Sequence, residues 1–248
     1  MNRILHCVFL FSLLLTLGKH QSFGQDLSLV CDGFSKSKQA YVLTQDSVWQ
    51  SGFIKSVQKK NGFIVSFKWT NNLGKQQQVK SEDILGFMAY PNQVEKLGRL
   101  LDFIETSKGW KNPLTNEVKT FKQKKIEKGY CIYHTLDIPL KGNSMQKTKV
   151  LMQLLNPTFC ELVHVFYDPK STKVNYATTE GKNPNAMKYS SYYTEINENS
   201  IISVSEENYS ELAKNLWNGC DSLSNENKSF EYIYFVQDLI QFTQCNPK

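Results

Sequence analysis

Lys59-Lys60-Asn61-Gly62-Phe63-Ile64-Val65-Ser66-Phe67-Lys68-Trp69 reads as a tight turn feeding a strand. Asn-Gly is the pair that most readily takes the positive backbone angles of a two-residue hairpin loop. The run behind it is rich in β-branched and aromatic residues. Side chains alternate along a strand, so Phe63, Val65, Phe67 and Trp69 are expected on one face. Residues 52–57 supply the other arm of the hairpin, and residues 41–43 precede it. Beyond it, Asn71-Asn72-Leu73-Gly74 makes a second turn, followed by strand-like stretches at 76–80 and 84–90. Five short strands at this spacing predict a small curled sheet or barrel.

Further along, Pro91-Asn92 offers a helix start, and Val94, Leu97, Leu100, Leu101 and Ile104 recur at helical spacing. Residues 107–129 are polar and lysine-rich and read as a connection between domains. A second β region follows, with strands expected at 129–134, 149–155 and 161–167, broken by Asn156-Pro157 and Asp168-Pro169. Residues 170–190 read as a long exposed loop, and 192–196 with 201–204 as a further strand pair. Two helices close the chain. The first places Tyr209, Leu212, Ala213, Leu216 and Trp217 on one side, has Glu206 and Glu207 in its opening turn, and stops at Gly219. Ser229 is read as the cap of the second, which carries Ile233, Val236, Leu239 and Ile240. The expected class is α+β, mostly antiparallel β with a C-terminal helix pair. The expected division is 25–106, a linker at 107–129, and 130–248.

Ahead of all this, Met1-Asn2-Arg3 leads into an apolar run over 4–17, and Ser22-Phe23-Gly24 offers a small-x-small cleavage site. One charge, a short apolar core and such a site make a signal peptide, expected to be cut after Gly24. A spanning helix needs about 20 apolar residues, and this core is too short. The mature chain is therefore expected to lack a membrane span and to reside in the periplasm, at the outer-membrane periphery or outside the cell.

A hydrophobic content of 40% and an aromatic content of 12% suit a packed core rather than a disordered chain. The formal charge is +6, and two of those charges, Arg3 and Lys19, leave with residues 1–24. The remaining basic cluster, Lys119, Lys122, Lys124, Lys125 and Lys128, holds a single aromatic, Phe121. A nucleic-acid surface shows a broader stripe or a recognisable module, so this cluster reads as a solvated, charged loop and no nucleic-acid partner is expected.

Residues 151–157 (Leu-Met-Gln-Leu-Leu-Asn-Pro) and 165–169 (Val-Phe-Tyr-Asp-Pro), with Thr179-Glu180 and Ser191-Tyr192-Tyr193 behind them, resemble a family of uncharacterised secreted proteins from Bacteroidota. The front part is similar too, at Tyr41, Asp46, Gly52, Ile54 and Asp83-Ile84-Leu85-Gly86-Phe87. The family pattern has Gly and Ser after the Asn-Pro turn, where this chain has Thr158-Phe159-Cys160. The resemblance implies a bacterial envelope or extracellular location and brings no activity with it.

Five cysteines follow the signal segment, Cys31, Cys131, Cys160, Cys220 and Cys245, and an exported chain can oxidise them. Cys220 and Cys245 are disulfide candidates. Antiparallel helices of about 22 Å would carry them to opposite ends, but the linker 221–228 can run back at about 3.3 Å per residue. Cys131-x-x-His134 and Cys160-x-x-x-His164 hold both histidines of the mature chain, so Cys131, His134, Cys160 and His164 are zinc candidates. Against this, Cys131 and His134 should point to opposite faces of one strand while Cys160 and His164 share one. A Cys131–Cys160 disulfide competes with the metal. A cysteine nucleophile paired with either histidine is a further reading.

No Gly-x-Ser-x-Gly elbow, His-Glu-x-x-His pair, phosphate loop or dinucleotide fingerprint is present. No catalytic residue is therefore assigned, and no cofactor is expected. Asp46, Glu82, Asp83, Glu161, Asp168 and Glu180 are scattered through turns and loops, and each reads as solvated. Among the aromatics, Trp69 and Trp217 fit core faces, the tyrosines 189, 192 and 193 form a cluster, and Trp110 is the candidate for an exposed contact. The reading is a non-enzymatic exported protein that binds an envelope or extracellular protein or a glycan. The alternative is a secreted hydrolase acting on glycans or peptides.

Overall fold

The structure, a computed structural model, describes residues 27–92, 120–140, 143–160, 162–172, 189–196, 200–223 and 229–245. The signal segment, the helix expected after Pro91, Trp110 and most of the loop at 170–190 lie outside the described residues. The described part is α+β and mostly antiparallel, with β1 (Ala40–Thr44), β2 (Trp49–Lys60), β3 (Phe63–Asn71), β4 (Gln76–Lys80) and β5 (Ile84–Ala89) in the first half. The second half adds β6 (Cys131–Leu140), β7 (Asn143–Leu154), β8 (Val163–Tyr167), β9 (Ser191–Ile196) and β10 (Ser200–Ser205). Helix α1 spans Phe121–Glu127, α2 Tyr209–Leu216 and α3 Phe235–Cys245.

The Asn61-Gly62 turn forms as read, both residues at positive φ. The strand after it departs from simple alternation. Gln58 pairs with Ser66 and Lys59 with Ile64, so Val65 is an extra residue in β3. A bulge of this kind reverses the facing of what lies beyond it. Ile64, Phe67 and Trp69 enter one apolar core while Phe63 and Val65 join another, which corrects the single face expected for Phe63, Val65, Phe67 and Trp69.

All ten strands belong to one sheet, in the order β10-β9-β8-β7-β6-β5-β1-β2-β3-β4, with β7 also pairing β3. That extra pairing, Ile64 to Leu151, closes β3, β2, β1, β5, β6 and β7 into a ring. The ring is filled by inward side chains from each wall, including Val42, Ile54, Trp69, Phe87, Tyr133 and Leu151. It is a solid core rather than a pore, as small barrels are. Two glycines permit the close approach of its walls. A methyl group on Gly52 would meet the Trp69 ring and the Thr70 carbonyl, and one on Gly86 would meet the Tyr133 carbonyl. The segment ahead of β1 seals the barrel. Tyr133 donates its hydroxyl to the Cys31 carbonyl at 2.6 Å, and Phe34 sits edge-on to Phe87 and Tyr133.

β7 is where the sheet leaves the barrel. One edge pairs β6 along its length, and the other is shared between β3 at Leu151 and β8 at Leu154. The β6–β7 hairpin extends well beyond the strands expected at 129–134 and 149–155, because Leu136 and Ile138 continue the alternation up to Pro139. The hairpin tolerates that proline near its turn, past most of the paired length.

Helices α2 and α3 cover β8–β10, and the core between them holds Val163, Val165, Tyr192, Val204, Leu216, Trp217 and Phe235. Tyr189 and Tyr192 belong to this core, so the tyrosine cluster is largely internal. Inside it Tyr209 donates to Asp238 Oδ2 at 2.6 Å and accepts from Trp217 Nε1 at 2.9 Å. The expected Ser229 cap is displaced by a single 3₁₀ turn at Tyr232–Tyr234, from which α3 starts at Phe235. Glu206 and Glu207 fall in the turn before α2 rather than within it.

The basic cluster is partly helical. Thr120 and Gln123 cap α1 reciprocally, each side chain meeting the other's backbone N–H. Such a box satisfies two of the orphan donors at a helix start. Lys125 does not extend into solvent; its ammonium lies 3.9 Å from the centre of the Tyr41 ring and beside Phe121 and Tyr130. The loop expected here is thus, over these residues, a helix docked on the barrel by cation–π contact.

Candidate functional site

β6 divides the zinc candidates. Cys131 and Tyr133 point into the barrel, whereas His134 points to the outer face with Ile132 and Leu136. Cys160 lies on that outer side too, in the turn between β7 and β8, and His164 follows on β8. The structure thus brings together His134, Cys160 and His164 and sends Cys131 to the opposite face. The four-ligand set does not assemble, and Cys131 and Cys160 are not bonded partners. Among the described residues no group of three or more His, Cys, Asp and Glu side chains is arranged to hold a metal ion.

The Cys160 turn is built from a fully buried asparagine. Asn156 donates to the carbonyls of Phe159 at 3.2 Å and Val163 at 2.7 Å, and accepts the Val165 N–H at 2.8 Å. Those bonds replace the ladder that the chain abandons at Pro157, and they fix where Cys160 emerges. The thiol is partly buried and contacts the Pro157 carbonyl at 3.6 Å.

His164 is paired in register with Glu195 of β9, and its Nδ1 lies 3.0 Å from Glu195 Oε2. Hydrogen bonding to Cys160 and then to Glu195 raises the imidazole to about 9, against the opposing effect of burial. His134 stands edge-on to His164 with ring centres 5.6 Å apart, and Phe166 packs against both. Burial lowers His134 to about 3, with the positive charges of Lys122 and His164 acting the same way. Two neighbouring histidines therefore hold opposite protonation states at neutral pH.

No protein-family model, curated protein or solved structure matches the chain. The chemistry must be read from its own geometry. His164 meets Glu195 through Nδ1, while the Cys160 thiol donates to the Pro157 carbonyl of its own turn. Glu195 was not singled out from sequence. The alternation of β9 places it on one face with Tyr193, but only the β8–β9 register sets it opposite His164.

Of the carboxylates singled out from sequence, Glu161 and Glu180 lie outside the described residues, and the other four make local contacts. Asp46 accepts the Thr44 hydroxyl, Glu82 pairs with Lys80 at 3.1 Å, and Asp83 accepts the Lys80 N–H. Asp168 is buried and ties Lys170 N–H and the Ser191 hydroxyl across the loop base. The disulfide Cys220–Cys245 joins the ends of α2 and α3, with Cα atoms 5.3 Å apart. Trp69 and Trp217 are each 1% exposed, inside the two cores as their spacing suggests. Among the described residues no helix is long and apolar enough to cross a membrane.

A second feature lies at one end of the barrel. The β1–β2 turn presents Val48, 51% exposed, and the β3–β4 turn presents Leu73, 92% exposed. Neither turn is loose. Asn71 Oδ1 accepts the N–H groups of Leu73 and Lys75, and the Thr44 hydroxyl donates to the Val48 carbonyl. Asn72 Nδ2 donates to Ser51 Oγ of β2 at 2.7 Å, tying the β3–β4 turn to that strand.

Proposed function

We propose that the chain is an exported protein that works by binding another protein through the barrel end formed by the β1–β2 and β3–β4 turns. The observation carrying this reading is the rigid display of Leu73 and Val48 on two hydrogen-bonded turns. A single exposed aliphatic residue is ordinary. Two on pre-organised turns at one barrel end lose little entropy when covered, which favours an interface. The packed barrel interior leaves outer surfaces to do the binding. Aliphatic tips suit an apolar protein groove; a glycan is recognised by flat aromatic platforms, and those in described positions here are mostly internal.

Export rests on the signal-like residues 1–24, and the resemblance to secreted Bacteroidota proteins supports an envelope or extracellular setting. The test is capture from native envelope extract by the mature chain and by a Leu73→Glu/Val48→Glu variant. A partner retained by the first and reduced at least about tenfold by the second, with the fold intact by circular dichroism, is expected. An identical set of retained proteins contradicts the barrel-end reading.

A further inference from the structure

We propose that the outer barrel wall over β2, β3 and β4 binds an acidic polysaccharide, with Lys55 and Lys68 meeting its carboxylates and Gln58 and Gln78 its hydroxyls. The face includes neither Val48 nor Leu73, so it does not depend on the protein-binding reading.

Strand register defines this face. Ile54, Phe67 and Trp69 fill the barrel interior, so by alternation their neighbours turn outward. Ser56 stands opposite Lys68 and Gln58 opposite Ser66, with Gln78 and Lys80 continuing the two rows onto β4. Lys55 is the extra residue of a bulge in β2 between Ile54 and Ser56, and its ammonium lies 5.5 Å from the centre of the Phe53 ring. Lys55, Gln58, Lys68 and Gln78 are all exposed, and β4 is the last strand of the sheet.

Three features of the face select the ligand. The first is a pre-set pair of amides. Ser66 Oγ donates to Gln58 Oε1 at 2.9 Å and accepts from Gln78 Nε2 at 3.0 Å. Ser66 is only 4% exposed, so this ladder is anchored in the sheet. It engages one atom of each amide and leaves the Gln58 Nε2 donor and the Gln78 Oε1 acceptor at its two ends. A sugar hydroxyl both donates and accepts, and groups already held in place lose little freedom on meeting it. The second feature is charge. Among the described residues neither Lys55 nor Lys68 has a carboxylate partner, whereas Lys59 is paired with Asp32 and Lys80 with Glu82 at the border. Two free ammonium groups flanking the amides suit a ligand that carries acid groups along its length, and an acidic glycan held this way needs no aromatic platform. The third is shape. Three strands about 4.8 Å apart make an open wall rather than a pocket, which fits an extended polymer better than a small molecule. A nucleic acid strand would ask for rings on which bases stack, and Phe53 lies beneath the Lys55 ammonium.

The experiment titrates the mature chain with polygalacturonate by isothermal calorimetry, with dextran and double-stranded DNA as comparison polymers. Saturable binding of polygalacturonate, and none of dextran, is the expected result. Lys55→Gln/Lys68→Gln weakens it at least about tenfold, while Lys36→Gln/Lys214→Gln, which removes the same charge from exposed positions elsewhere, changes it less than about twofold. Gln58→Ala/Gln78→Ala weakens it about tenfold at unchanged net charge. Gln58→Glu keeps the oxygen that holds Ser66 but puts a carboxylate on the face, and it abolishes binding; it reports on the face even where the double alanine variant fails to fold. Equal losses from the two lysine pairs, or parental binding by folded Gln58 and Gln78 variants, would reduce the effect to the general attraction of a basic chain for polyanions and overturn the proposal. So would DNA binding as tight as that of polygalacturonate, or no binding of polygalacturonate at all.

Discussion

The two halves of the sheet solve the same burial problem differently. From β1 to β7 the sheet curls until β3 meets β7, and one strand face becomes an interior without help from helices. From β8 to β10 it stays open, and α2 and α3 supply the missing wall. The closed half is held by shape, with glycines where walls approach and large rings in the centre. The open half adds a buried polar network and a disulfide. Between them lies the outer face of β6–β8, where the histidines and Cys160 meet. Cys160 and the two histidines gather at the junction of the two solutions, on a packed sheet face that is only partly covered.

The comparison breaks most sharply at Trp69. Trp69→Ala empties the barrel centre and is expected to cost about 4 kcal/mol, measured by urea unfolding of the full mature chain. A cost below about 1 kcal/mol would mean that the barrel interior is not the packed core described. In the helix-covered half, Tyr209→Phe removes only an oxygen. It takes a donor from buried Asp238 and the acceptor from Trp217 Nε1, and about 2 kcal/mol is expected. The same denaturant series checks it, and a neutral result would mean that the network is not enclosed.

At the junction the effect is read as a pH dependence, and its two arms have opposite signs. His164 has a folded value of about 9, above the unfolded value of about 6.5. Its stabilising contribution is complete below the unfolded value and is lost as pH rises through about 9. His134 has a folded value of about 3, so stability is lost as pH falls from about 6.5 toward it. The groups facing this pair are Cys160 and Glu195 on His164 and Lys122 on His134. His164→Gln should flatten the alkaline arm and His134→Gln the acidic arm in melting temperature against pH. Flattening of the wrong arm would reverse the assignment.

Much of this was legible in the sequence. Asn61-Gly62 marked its turn because few other pairs accept those angles, and a linker able to run back made Cys220 and Cys245 candidates for the bridge that forms. The opposite facing of Cys131 and His134 followed from strand alternation alone. Barrel closure was not legible, since the contact of Ile64 with Leu151 depends on accumulated curvature and on the Val65 bulge, which no local pattern announces. Pro139 masked the outer half of the β6–β7 hairpin. The Thr120–Gln123 box that starts α1 was hidden in a lysine-rich stretch that composition alone marks as solvated. Glu195 was invisible for a related reason: a cross-strand partner is defined by register, and the loop joining β8 to β9 does not fix register.

The most direct measurement of the account is cysteine alkylation of the folded mature chain, read by peptide mass spectrometry before and after denaturation. Cys160, partly exposed on the outer face, should be labelled in the native state, while Cys31 and Cys131 react only once the barrel unfolds. Native labelling of Cys131 at the rate of Cys160, or a disulfide joining those two residues, would contradict the division of faces on which the fold rests.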